Sequence, residues 1–201
     1  MKKWMSWFAA LLLAGCANGP SGVTVKESDG SSAASRLVMM TSGFIDEAGK
    51  GEEPEVSQLN PWIEIDRKSG IAGYAGVTLT RIVSDSEIFM THAPRWLEAG
   101  KSHELRITVG GRSVVLHAME EGTRWHKNRQ DSGFRNTTYF ERVRYQASLA
   151  DMELLAKGPI THISASGKKA GASWPRQERK ILPEYQSKFT AFYQQQIAPA
   201  L

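Results

Sequence analysis

Apolar and polar positions alternate along much of the chain, and a period of two marks strands with one buried face. Residues 23–26 (Val-Thr-Val-Lys) start the pattern. Leu37-Val38-Met39-Met40 is a short apolar run that fits a buried strand. Residues 62–66 alternate, with Ile63 and Ile65 on one side and Glu64 and Asp66 on the other. Residues 77–83 repeat the pattern, with Val77, Leu79 and Val83 sharing a side, and Ile88-Phe89-Met90 follows after a polar turn. The clearest hairpin joins 105–109 to 113–119 through Gly110-Gly111, because glycines supply the positive φ angles of tight primed turns. Residues 120–136 read as a charged loop. Residues 137–147 read as a long strand with Tyr139, Val143 and Tyr145 on one face and Arg142 and Arg144 on the other.

Two helices follow a different rhythm. Ser148 is placed to cap the first, with Asp151 three residues on, near a capping box. Leu149, Met152, Leu155 and Ala156 share its apolar face, and Gly158-Pro159 stops it. The second starts at Pro183, a good first-turn residue, with Tyr185, Phe189, Phe192 and Tyr193 as its stripe. Residues 160–165 between them read as a strand. Many short strands with both helices late predict a mainly β or α+β fold. The expected architecture is an antiparallel sheet assembly, a sandwich being one form of it, with two helices in the C-terminal third on one face or edge.

The first sixteen residues follow neither rhythm. Lys2 and Lys3 precede an apolar stretch from Trp4 to Leu13, broken only by Ser6. That is the length of a signal-peptide core and too short to span a bilayer. It ends in Leu13-Ala14-Gly15-Cys16, which resembles the lipobox of bacterial lipoproteins. The resemblance covers residues 1–16 alone and implies cleavage between Gly15 and Cys16, with lipid on Cys16. Ala17, where many such proteins carry an aspartate that retains them at the inner membrane, implies the inner leaflet of the outer membrane. The expected organisation is a signal peptide at 1–15, a lipidated cysteine and tether at 16–22, and one periplasmic domain at 23–201.

Composition adds limits. Cys16 is the only cysteine, so no disulfide framework is available. The chain carries a formal net charge of +4, which cleavage lowers to +2 because Lys2 and Lys3 leave and no acid does. The basic balance is thus partly a property of the leader, and together with a periplasmic address it argues against nucleic acid.

Chemical signatures are sparse. The histidines at 92, 103, 117, 126 and 162 have no metal-ligand spacing, so neither a metal nor another cofactor is expected. His117 and His162 fall in predicted strands and could face each other across a sheet. Ser166-Gly167-Lys168-Lys169 matches SxxK only formally, since a turn rather than a helix is expected there. Gly70, Gly73 and Gly76 lead into a strand, which suits a close backbone approach rather than a phosphate cradle. The acidic loop with Asp46, Glu47, Glu52, Glu53 and Glu55 lacks the spacing of a calcium loop.

Two basic and aromatic clusters stand out as partner-binding candidates: Arg124, Trp125, Lys127 and Arg129, and then Lys168, Lys169, Trp174 and Arg176. Exposed arginine beside tryptophan suits anionic glycans, lipid phosphates or an acidic protein face. The opposing expectation is that the tryptophans are tucked into the core and the arginines pair local acids. The favoured function is a lipid-anchored, non-catalytic binding or accessory module for an envelope partner. An envelope hydrolase acting on cell-wall or lipid substrates is the alternative, which a cleft joining histidine, acid and serine would favour. A carrier of an apolar ligand is another, which predicts a cavity lined by Met39, Met90, Met119 or Met152.

Overall fold

The computed structural model describes residues 23–45, 55–86, 97, 100, 103–131, 134–167, 173–175 and 181–201. The leader, Cys16 and the tether lie outside the described residues. So do Ile88-Phe89-Met90, His92, the acidic residues 46–53, Lys168, Lys169 and Arg176.

Ten strands form one antiparallel sheet: β1 (Val25–Asp29), β2 (Ser35–Met40), β3 (Glu55–Asp66), β4 (Ala72–Ser86), β5 (Glu104–Val109), β6 (Arg112–Ala118), β7 (Thr123–Asp131), β8 (Phe134–Ala147), β9 (Ile160–Ser166) and β10 (Ser173–Trp174). Their order is β1-β2-β3-β4-β8-β6-β5-β9-β10, and β7 pairs with β8 beside this path. The mainly β architecture and both late helices agree with the sequence pattern. The sheet narrows at one seam, where β6 meets β8 only through His117–Gln146 and Ala118–Tyr145. It therefore divides into two flanks while remaining a single hydrogen-bonded sheet.

Alternation selects an inner and an outer face. Leu59, Ile63, Val77, Leu79, Val143, Tyr145, Leu105, Ile107 and Ile163 project inward and are buried. Helix α1 (Leu149–Lys157) and helix α2 (Pro183–Phe192) add their apolar stripes to the same core. Ser148 and Asp151 form the reciprocal cap that the sequence suggested. Helix α2 crosses the end of α1 and satisfies carbonyls that a helix terminus leaves open. Gln186 donates to the Leu155 carbonyl at 3.1 Å and Thr190 to that of Ala156 at 2.6 Å. The Tyr185 hydroxyl donates to the Leu59 carbonyl at 3.0 Å, fixing α2 to β3. The chain continues from α2 as a π-turn (Tyr193–Ile197) and a 3-10 turn (Ala198–Ala200).

Glycines act where predicted. Gly110 and Gly111 have φ of 53° and 77° in the β5–β6 turn. Gly76 lies beneath the Trp62 ring, and a Cβ there would collide with the Tyr145 carbonyl and approach the indole to 2.7 Å. This is the close approach expected of the glycine run.

Three expectations need correction. Residues 120–136 are not a loop: they hold all of β7 and the start of β8, paired from Thr123–Arg142 to Asp131–Phe134. Strand β3 starts at Glu55, so the acidic segment ends in the sheet. Trp174, proposed for a binding surface, is only 2% exposed, because its pairing with Ala165 turns it to the inner face.

Candidate functional site

Strand β8 carries two unlike rows of side chains. Its inward row includes Glu141, which is 1% exposed and directly opposite Arg81 of β4. The two form a buried ion pair at 2.9 Å, and the same carboxylate oxygen accepts the Leu97 N–H at 3.0 Å. A buried pair adds little net stability once desolvation is subtracted, but it opposes any one-residue slip of β8 on β4. Burial, then the charge of Glu141, push the nearby Tyr145 phenol above its ordinary pKa and keep it neutral.

The outward row holds Phe140, Arg142 and Arg144. Register sets Trp125 of β7 directly opposite Phe140, and their rings stack at 5.0 Å with an angle of 2°. The Arg142 guanidinium lies 4.9 Å from the centre of the Trp125 ring. Lys127 approaches the Phe140 ring at 5.7 Å. Arg144 covers the buried Trp62 at 5.6 Å. Each contact uses the negative face of a ring to hold a cation.

The electrostatics leave this row short of counter-charge. Desolvation, then the charge of Arg144, lower the Arg142 pKa from its ordinary value. Two guanidiniums two residues apart on one face therefore repel each other, and an anion placed between them relieves that repulsion. Glu64 of β3 lies on the same outward face, close enough to feel the charge of Arg144. Burial opposes its ionisation, but hydrogen bonds from Ser31 and Ser35 and the charge of Arg144 hold its pKa below the ordinary value. The Ser31 N–H donates to it at 2.7 Å, and both serine hydroxyls donate at 2.5 Å.

Arg124 and His126 project from the other side of β7, where His126 and Tyr139 approach at 6.2 Å. With Trp125 they line a shallow open groove around the β7 edge. Strand pairing rather than a loop sets the first predicted cluster, with Trp125 and Lys127 on the outward face and Arg124 on the other. Arg129 is placed by its backbone in β7, opposite Asn136. The second cluster contributes only Trp174 to the described residues, and that residue is core. Sequence reading missed Phe140 and Arg142 as partners of Trp125. The place of Arg142 and Arg144 on the face opposite Tyr145 was visible, but the register of this strand with β7 was not.

The other candidates separate. His117 pairs with Glu104 and His162 with Thr108, at opposite ends of β5, so they do not meet. Among the described residues no group of three potential ligands could hold a metal ion. His103 bonds to the backbone of Gly100. Ser166 ends a strand, and its hydroxyl accepts the Glu104 N–H at 3.0 Å, which is not the helix start that SxxK chemistry needs. Met152 is buried in the inner core while Met39 faces outward opposite Trp62, so they line no common cavity.

Family models, curated proteins and solved structures contain no match to this chain.

Proposed function

We propose that this chain is a lipid-anchored envelope protein that works as a non-catalytic binding module. Its anchor is Cys16, and its working surface is the outward face of the β7–β8 hairpin, which takes an anionic partner. The observation that carries the binding reading is the stack Lys127–Phe140–Trp125–Arg142, where aromatic rings hold cations at fixed spacing on an accessible face. A preformed array binds without first ordering long side chains, which lowers the entropic cost of association. The lipobox-type run Leu13-Ala14-Gly15-Cys16 supports the address, in the inner leaflet of the outer membrane facing the periplasm.

The test is cross-linking in intact cells with three chains: the parent, Cys16→Ala, and Lys127→Glu with Arg142→Glu. Cys16→Ala is expected to leave the membrane fraction or to accumulate uncleaved. The charge-reversed chain is expected to stay anchored and folded while losing the parent's cross-linked species. A Cys16→Ala chain that fractionates as the parent does refutes the anchor. An unchanged cross-linking profile in the double variant refutes the binding surface.

A further inference from the structure

The chain enters the sheet at the same end from which the β7–β8 hairpin projects. Val25 pairs with Met40, and the ladders through β3 and β4 place it level with Tyr145 of β8. The Thr41 N–H donates to the Thr24 carbonyl at 2.8 Å, so the chain keeps this direction back toward Val23. Val23 is therefore level with Val143. Phe140 lies three residues further in that direction and Thr138 five, the latter opposite Lys127. At about 3.4 Å per residue, the stack runs from ~3 Å beyond the point of entry, at Arg142, to ~17 Å, level with Lys127. Residues 16–22 span at most ~24 Å when fully extended. The reach of the tether and the overhang of the hairpin thus cover the same interval.

Charge selects what meets the hairpin there. The outward face presents Lys127, Arg142 and Arg144, whereas Glu141 lies on the other face, opposite Arg124 and buried against Arg81. The β1 edge is mixed instead, with Lys26, Glu27 and Asp29. Aromatic rings flanked by cations suit the headgroup layer of a bilayer, where rings sit at the interface and cations meet phosphate.

We infer that the partner of the hairpin's outward face is the headgroup layer of anionic phospholipid in the membrane that holds Cys16. This rests on the anchored reading above and adds an orientation to it: the sheet stands with its β7–β8 end against the bilayer. The β3–β4 turn and Gly110-Gly111 then lie at the end away from it.

The experiment uses the mature acylated chain reconstituted in phosphatidylcholine vesicles, with or without phosphatidylglycerol, containing a headgroup-linked quencher. Fluorophores are attached at Thr123→Cys on the hairpin or Lys68→Cys in the β3–β4 turn, each the sole free thiol when Cys16 is acylated. Quenching at 123 is expected to exceed that at 68 by about threefold in anionic vesicles and to fall toward parity in 1 M salt. Flotation with the vesicles reports the anchor separately. A floating chain with equal quenching at both positions overturns the orientation and leaves the anchor standing. A chain that does not float overturns both. Preferential quenching indifferent to phosphatidylglycerol and salt overturns headgroup charge as the cause. Shielding of position 123 only after solubilised envelope protein is added assigns the face to a protein and overturns the lipid assignment.

Discussion

The two faces of β8 use charge and aromatic groups in opposite ways. Inward, Glu141 is paired with Arg81 and sealed beside a neutral tyrosine, close to apolar side chains. Outward, Arg142 and Arg144 sit side by side on aromatic rings, with Glu64 the carboxylate that feels the charge of Arg144. The inner arrangement satisfies itself and serves register. The outer one keeps a surplus of positive charge at fixed geometry, as a recognition surface requires. The difference lies in pairing rather than composition, since one strand supplies both.

Substitutions on the two faces should therefore separate stability from recognition. Phe189→Ala, at the centre of the inner core, is expected to cost about 3–5 kcal/mol, read as a lowered denaturant midpoint. A cost near zero would mean that α2 is not packed on the sheet. Gly76→Ala is expected to cost about 1–3 kcal/mol, because its methyl must displace Trp62 or the Tyr145 backbone. Its effect reaches the outer face as well, since Trp62 supports Arg144, and tryptophan fluorescence should shift with it.

Glu64→Gln tests the outer face through pH, with an expected cost of about 1 kcal/mol near neutrality. The folded pKa of Glu64 is lowered, so its contribution is complete above the ordinary glutamate value of about 4.5 and disappears as pH falls through the lower folded value. Parent and variant should converge in stability under acid. A gap that persists at low pH would remove ionised Glu64 as its cause. Arg142→Ala is expected to have the smallest effect on stability, about 0.5 kcal/mol, consistent with an exposed cation–ring contact. The same substitution should weaken retention of an anionic partner, and a large stability loss would instead mark Arg142 as structural.

The pattern of the chain disclosed elements where one face is apolar and hid them where neither is. The β5–β6 hairpin was legible because Leu105, Ile107, Val114 and Leu116 alternate around two glycines. The helices were legible from Ser148, Gly158 and Pro183 together with their stripes. Strand β7 escaped notice because it alternates Arg124, His126 and Asn128 with Trp125, Lys127 and Arg129, so no period-two apolar signal exists. It is a strand because β8 offers it a continuous ladder of backbone partners. Glu55–Asp66 began earlier than expected for a related reason: Ser57 and Asn60 are buried polar residues that hydropathy assigns to loops. The candidate site was half legible. The basic and aromatic residue types of its first cluster were apparent, but the stacking of Trp125 between Phe140 and Arg142 is a property of register, which one sequence does not display.

The outermost strand has its own consequence. Among the described residues no strand pairs with the outer edge of β1, whose exposed residues are Lys26, Glu27, Ser28 and Asp29. A bare edge is a template on which a second molecule can extend the ladder. Here a copy arriving edge to edge must strip water from charged groups before forming a hydrogen bond. The strand thus acts as a bumper, letting many copies crowd together as separate molecules instead of zipping into fibres.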